Sequence, residues 1–173
     1  MLAVAHFEKV SFHQFAEDYH RIFNIPEERI RDIYKAVCCP VRATAGSAGY
    51  DFISTASFHL EPKETILIPT GIRALIDPGY VLMLFPRSSL GFKYRFQLDN
   101  SVGVIDSDYS NAENEGHIFL RMTNDSFSGK ALDITLGGAI AQGIFLPFGI
   151  TNDDSASASR TGGFGSTNRK ADL

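Results

Sequence analysis

Two aspartates separated by one residue, with a tyrosine directly after them, are the sharpest chemical signal in this chain. They stand in Gly103-Val104-Ile105-Asp106-Ser107-Asp108-Tyr109, where a β-branched run passes straight into carboxylates. Strand alternation puts Val104, Asp106 and Asp108 on one side, and Ile105 and Ser107 on the other. A carboxylate that is merely buried loses much of its hydration. The pair is therefore either solvated turn chemistry or a site that orients water. Taken alone, the stretch reads as an Asp-rich hairpin end.

Other segments carry complementary groups. Arg87, Ser88 and Ser89 follow an apolar run, and a guanidinium with two hydroxyls suits phosphate oxygens. In isolation they read as a strand-end turn. Gln142, at the end of Gly138-Ala139-Ile140-Ala141-Gln142, reads as a polar residue on a strand's solvent face. Near the end of the chain come Arg160 and then Gly163-Phe164-Gly165-Ser166-Thr167. Backbone amides freed by glycine, with Ser166, Thr167 and Arg160, make a phosphate cradle. Phe164 amid glycines has no core to join and suits stacking on a ring.

These groups need a scaffold. The chain has 173 residues, enough for one domain with a sizeable core. Its net charge of −4 offers no basic face for nucleic acid, although a few converging arginines could hold a small anion. Cys38 and Cys39 are the only cysteines and are adjacent, a spacing that rarely bridges. With no secretory signal read in the sequence, this points to a reduced, cytoplasmic setting. No run is apolar enough to span a bilayer.

Ala5–Val10 alternates like an edge strand. At Ser11 the period changes: Ser11 and Gln14 fit a capping box, each bonding a free backbone amide. Phe12, Phe15, Ala16, Tyr19, Ile22 and Phe23 then recur at helical spacing. A second helix is expected from about Pro26, with Ile30, Ile33 and Tyr34 on its apolar side. Residues 1–39 thus form an N-terminal extension, read as a packing appendage or a partner surface. From Pro40 the helical pattern disappears. Short apolar runs, Thr65–Ile68, Ile72–Ile76, Tyr80–Phe85, His117–Met122 and Ala139–Phe148, alternate with turn signals, which predicts an all-β core over residues 40–150. Tyr80–Phe85 is apolar on both faces and calls for cover from a second sheet or a subunit partner. Residues 151–173 turn polar and glycine-rich, the composition of a mobile arm.

Five segments in this order, Ala48–Asp51, Pro86–Gly91, Gly103–Tyr109, Gly138–Gln142 and Arg160 with Gly163–Thr167, resemble those of the trimeric dUTP diphosphatases (dUTPases). The resemblance implies a jelly-roll fold and a homotrimer whose sites draw on all three chains. Motifs one, two and four would come from one subunit, motif three from a second and the tail from a third. It implies hydrolysis of dUTP to dUMP and pyrophosphate, which limits uracil incorporation into DNA and supplies dUMP for thymidylate synthesis. Mg2+ would ride on the triphosphate and water rather than on a protein cage. Asp106 would orient and deprotonate the attacking water, and Tyr109 would lie against the deoxyribose. Asn100 would bond the uracil edge, the backbone of Gly103, Val104 and Ile105 reading the rest. Arg87, Ser88, Ser89 and Gln142 would hold phosphates, and Asp51 would act through water on the metal or hold Arg87. From the tail, Arg160 would meet the γ-phosphate, Phe164 would stack over uracil, and Gly165, Ser166 and Thr167 would bind phosphate.

Three features depart from the family pattern, the first being Asn168 after Ser166-Thr167, where the family commonly has glycine; asparagine tolerates a positive φ, so the turn is expected to survive. Ser110–Gly116 is a longer polar loop than usual, expected to extend the hairpin tip and leave the base pocket alone. The helical Ser11–Val37 region is also longer than the family minimum, and with the 110–116 loop it leaves room for a protein partner. Competing readings are a dCTP deaminase on the same fold, and a binding module that has kept the scaffold. The intact aspartate–tyrosine stretch and glycine tail favour the phosphohydrolase.

Overall fold

Period-two burial along short strands organises the chain seen in the computed structural model, which describes residues 2–157. The elements run β1 (Ala5–Lys9), α1 (Phe12–Phe23), α2 (Glu27–Ala36), β2 (Val41–Arg42), β3 (Tyr50–Ile53) and β4 (Phe58–Leu60). There follow β5 (Thr65–Pro69), β6 (Ile72–Ile76), β7 (Tyr80–Pro86), α3 (Ser88–Tyr94), β8 (Phe96–Leu98) and β9 (Gly103–Ile105). A 3₁₀ turn (Tyr109–Asn111) precedes β10 (Phe119–Asn124), β11 (Leu132–Ile134) and β12 (Ala139–Pro147). The expected all-β core with a helical N-terminal extension is what the chain adopts.

Antiparallel pairing gives a five-stranded sheet in the order β2-β3-β12-β7-β9 and a three-stranded sheet in the order β5-β10-β8. β1 pairs with β6, and β11 with β4. Neighbours distant in sequence, such as β3 and β12, are the mark of a jelly-roll wrap rather than a meander. The inward residues of both sheets, including Phe52, Leu82, Leu84, Ile105, Leu120 and Met122, are fully buried. On β7 the alternation is uneven: Leu82 and Leu84 are buried, while Val81, Met83 and Phe85 are half-buried. One face of β7 thus meets the core and the other keeps an apolar surface partly open.

The helices dock through aromatic side chains. Phe15 and Tyr19 of α1 are buried, and Phe15 packs on Tyr34 of α2 with ring centroids 5.4 Å apart. Gly71, at the β5–β6 turn, has φ +74°, and a Cβ there would lie 3.2 Å from the Phe15 ring. Glycine is required both for the turn and for the approach of α1.

Three expectations need correction. Only half of the capping box forms: the Ser11 hydroxyl accepts from the Gln14 amide at 3.1 Å, but the Gln14 side chain donates instead to Asp18. The reciprocal role falls to Glu115, 104 residues away, which accepts from the Ser11 amide at 2.7 Å and hydroxyl at 2.6 Å. A helix, α3, occupies Ser88–Tyr94, where a strand-end turn was expected. The strand expected at His117–Met122 is displaced to Phe119–Asn124, because Ile118 donates to Ile72 and accepts from Thr70 outside that strand.

Candidate active site

Sheet register assembles the first cleft. Gln142 on β12 stands opposite Asp51 on β3 and opposite Phe85 on β7. Register partners share a face, so Asp51, Gln142 and Phe85 form one row across three strands. Arg87, two residues beyond Phe85, continues the same face. Its Nε lies 3.6 Å from Asp51 Oδ1, and its Nη1 donates to the Ala139 carbonyl at 3.5 Å. Gln142 Nε2 donates to the Pro86 carbonyl at 3.2 Å. Gly49 leaves space for this arrangement, since a Cβ there would sit 2.7 Å from Gln142 Oε1. Ser88 and Ser89, both exposed, open α3 at the rim. Gly49, Asp51, Arg87, Ser88, Ser89 and Gln142 line a cleft of about 540 Å³. A guanidinium, two hydroxyls and an amide on one wall can hold a chain of phosphates.

The second cleft lies at a corner of the fold. The sequence suggested a hairpin here, but β8 pairs with β10 and β9 with β7. The chain therefore crosses between sheets at Asn100–Val102, with Ser101 at φ 64° and its amide donating to the Leu98 carbonyl. The split opens a cleft of about 680 Å³ lined by Leu98, Asn100, Gly103 and Ile105, with Leu84 beside them. Because β8 and β9 do not pair with each other, backbone groups at this corner can face a planar ring edge. Alternation holds through β9, where Val104 is 52% exposed and Ile105 is 1% exposed. It stops there: Asp106 is exposed, its carbonyl accepts from the Tyr109 amide, and Asp108 leads into the 3₁₀ turn. Tyr109 is 3% exposed, and its hydroxyl donates to the His117 carbonyl at 2.9 Å.

Two walls of this cleft were not legible as site. Gln14, Asp18 and Arg21 of α1 line one side, and Glu113 and Asn114 of the long polar loop line another. The 110–116 loop therefore does not leave the pocket alone. Gly116, at φ +73°, turns the loop back so tightly that a Cβ would meet the Ser110 Cα at 2.6 Å. His117 follows it, fully buried, with Nδ1 2.7 Å from Asp18 Oδ2 and Nε2 accepting from the Gly71 amide at 2.8 Å. Burial pushes the Asp18 carboxyl up, but hydrogen bonds from His117 and Gln14 and the Arg21 guanidinium outweigh it and hold the group below its ordinary value.

The two clefts share no lining residue. Ile105, just before Asp106, pairs with Leu82, whereas Arg87 lies five residues beyond Leu82, just past the end of β7. At the strand rise, Asp106 and Arg87 of one chain stand roughly 17–20 Å apart. Among the described residues, no three His, Cys, Asp or Glu side chains cluster to hold a metal ion. None of the helices among them is long and apolar enough to cross a membrane. Arg160, Phe164, Gly165, Ser166 and Thr167 lie outside the described residues.

A family model described as dUTPase matches residues 35–168. The chain is 44% identical over 131 residues to a deoxyuridine 5'-triphosphate nucleotidohydrolase of Lactococcus lactis, covering 74% of this chain and 86% of that one. A protein of the same name from Laribacter hongkongensis is 40% identical over 137 residues, covering 76% and 89%. Among solved structures, the dUTPase of Streptococcus mutans superposes with a TM-score of 0.62 at 34% identity, covering 85% of this chain and 98% of that one. A mutant dUTPase from phage phi11 of Staphylococcus aureus, in which coordination of a structural Mg(II) ion is described, matches at 23% identity with a TM-score of 0.56, covering 69% and 89%. That last likeness bears on the fold.

Proposed function

This chain belongs to the dUTPase family and hydrolyses dUTP to dUMP, and from that premise we propose how its own residues perform the reaction. The products are dUMP and pyrophosphate, released when water attacks the α-phosphorus. Asp106 orients that water and takes its proton, a contribution of about 10²–10⁴ in rate. Arg87, Ser88, Ser89 and Gln142 hold the phosphate chain in the first cleft. Asp51 fixes the Arg87 guanidinium. The hard oxygen donors here, Asp51 with two serine hydroxyls, fit a hydrated Mg2+ carried by the triphosphate better than a protein-ligated ion. Bound there, magnesium would neutralise phosphate charge, with Asp51 touching its water shell.

Uracil enters the corner cleft, where Asn100 and the backbone of Gly103, Val104 and Ile105 read its edge. Cytosine reverses the donor and acceptor pattern and leaves buried polar groups unpaired, which discriminates strongly. Tyr109 forms the floor under the deoxyribose and denies space to a 2′-hydroxyl.

The reading rests most heavily on the separation of Asp106 from Arg87. One chain cannot bring its own base to its own phosphate cleft over roughly 17–20 Å. A homotrimer resolves this, with motif three of one subunit facing motifs one, two and four of another. The outer face of the five-stranded sheet supports such packing: Val104, Met83 and Ile144 form one apolar row, Val81 and Leu146 the next. In the division of labour that follows, residues 1–39 position, 40–150 carry the chemistry and 151–173 close over the substrate. Arg160 meets the γ-phosphate, Phe164 stacks on uracil, and Gly165, Ser166 and Thr167 complete the cradle. The exposed free thiols of Cys38 and Cys39 suit the reduced cytoplasm.

Pyrophosphate release from dUTP, against dCTP, dTTP and UTP and with and without magnesium, tests the substrate. Rapid, magnesium-stimulated release from dUTP alone is expected; equal release from dCTP or UTP defeats the pocket assignment. Subunit sharing is tested by co-refolding two inactive variants, Asp106→Asn and Arg87→Ala. Mixed trimers would then contain some sites with both native residues and regain activity, whereas no recovery rules out a shared site.

A further inference from the structure

Two of the segments that depart from the family pattern, the N-terminal helices and the 110–116 loop, meet each other, and they meet at the corner cleft. Asp18 of α1 lines that cleft and is only 3% exposed. Its Oδ2 receives His117 Nδ1 at 2.7 Å, and its Oδ1 receives Arg21 at 2.6 Å. The Gly71 amide donates to His117 Nε2 at 2.8 Å, so Nε2 carries the lone pair and Nδ1 the proton. The imidazole is thereby held in one tautomer and one orientation, between a helix and the β5–β6 turn. The His117 carbonyl in turn receives the Tyr109 hydroxyl at 2.9 Å and Asn114 Nδ2 at 3.3 Å. Asn114 Nδ2 also reaches the Tyr109 oxygen at 3.1 Å. An unbroken series of short polar contacts thus runs from α1 to the tyrosine of the nucleoside pocket.

We propose that Asp18 and His117 are positioning residues for substrate selection, through which the N-terminal helix sets the Tyr109 ring and so the enzyme's preference for deoxyribose over ribose. The inference rests on the reading of Tyr109 as the floor under the sugar. Neither Asp18 nor His117 belongs to the five motifs, and neither touches the phosphate cleft. Their influence is therefore on which nucleotide fits, not on the attack at phosphorus. A packing role alone would lower stability and leave the dUTP-to-UTP ratio as it was.

The test measures kcat and KM for dUTP and for UTP, with thermal melting alongside. Asp18→Ala removes the acceptor from His117 Nδ1. It is expected to raise KM for dUTP and to reduce the preference for dUTP over UTP by roughly tenfold or more, the scale on which small misplacements act. The kcat for dUTP stays close to native. Asp18→Asn, which keeps an oxygen acceptor, should restore most of the preference. Tyr109→Phe, which keeps the ring and removes only the hydroxyl that meets the His117 carbonyl, breaks the same series at its other end and should shift the ratio in the same direction. If Asp18→Ala or, should that variant not fold, Tyr109→Phe melts as a folded protein with an unchanged ratio, the proposal is wrong. Tyr109→Leu separates the two levels of the argument. An unchanged ratio in Tyr109→Leu defeats the floor assignment itself. A changed ratio there, beside unchanged ratios in the other variants, defeats only the role of Asp18 and His117.

Discussion

In the cleft proposed for phosphates, Asp51 and Gln142 share one row of one sheet with Phe85, and Arg87 continues their face. The corner cleft adds to strand residues Leu67, Leu84, Phe119 and Arg121 three walls from residues 14–21, 98–105 and 113–114, which belong to a helix, a crossover between sheets and a polar loop. The first is fixed by backbone hydrogen bonds, which any sequence forming the same ladders would reproduce. The second is fixed by side-chain contacts between segments far apart in the chain. Groups that hold phosphates can therefore be uniform across a family, while the surroundings of the base and sugar are open to variation from outside the motifs.

The comparison can be broken or sharpened by substitution. The largest expected effect is in Asp106→Asn, where turnover of dUTP should fall by about 10²–10⁴ with KM little altered. Near-native turnover would remove Asp106 from the role of base. Ending the chain after Arg160 should leave a folded trimer of low activity, since Phe164, Ser166 and Thr167 are lost; full activity would remove the lid role. Gly143→Ala addresses the sheet row directly. Its Cβ would sit 2.8 Å from Leu82 Cδ1 and 2.9 Å from Phe52 Cε2. Overpacking of this kind costs about 1–3 kcal/mol, to be read from the denaturant midpoint. Ser11→Ala removes a helix cap and a Glu115 partner on the other side of the comparison. It should cost about 1 kcal/mol, visible as a Tm lower by roughly 2–4 °C.

The smallest effect is on pH dependence. Asp18 and Glu115 both sit below the ordinary carboxylate range, burial being outweighed by hydrogen bonds from His117 and Gln14 in one case and from Ser11 in the other. A carboxyl with a depressed folded pKa stabilises the fold above its unfolded pKa and loses that contribution as pH falls through the folded value. Stability should thus decline below about pH 4. Asp18→Asn should flatten the Tm-against-pH curve in that range, and a slope equal to native would remove Asp18 from the account.

What could be read from residues alone follows the same division. β5, β6, β7 and β12 announce themselves as short apolar runs between turn signals, and α1 by its aromatic spacing after Ser11. Asp51, Arg87 and Gln142 were legible as members of motifs. α3 was not, because its seven residues include Gly91 and bury nothing, so neither propensity nor periodicity marks it. His117 was read as the start of a strand, since its partners Asp18 and Gly71 lie 99 and 46 residues away. Glu115 looked like a solvated loop charge for the same reason. Contacts across such separations leave no local pattern.

The cap on α1 also has a bearing on biosynthesis. The Ser11 amide and hydroxyl find their acceptor only when Glu115 arrives, 104 residues later. At the usual pace of translation, that interval lasts roughly 5–20 s. Through it, the helix carrying Phe15 and Tyr19 has only the Ser11–Gln14 half of its cap and no finished core behind it. A nascent chain halted before residue 115 should therefore be cut by protease within residues 11–23 more readily than one carried past it.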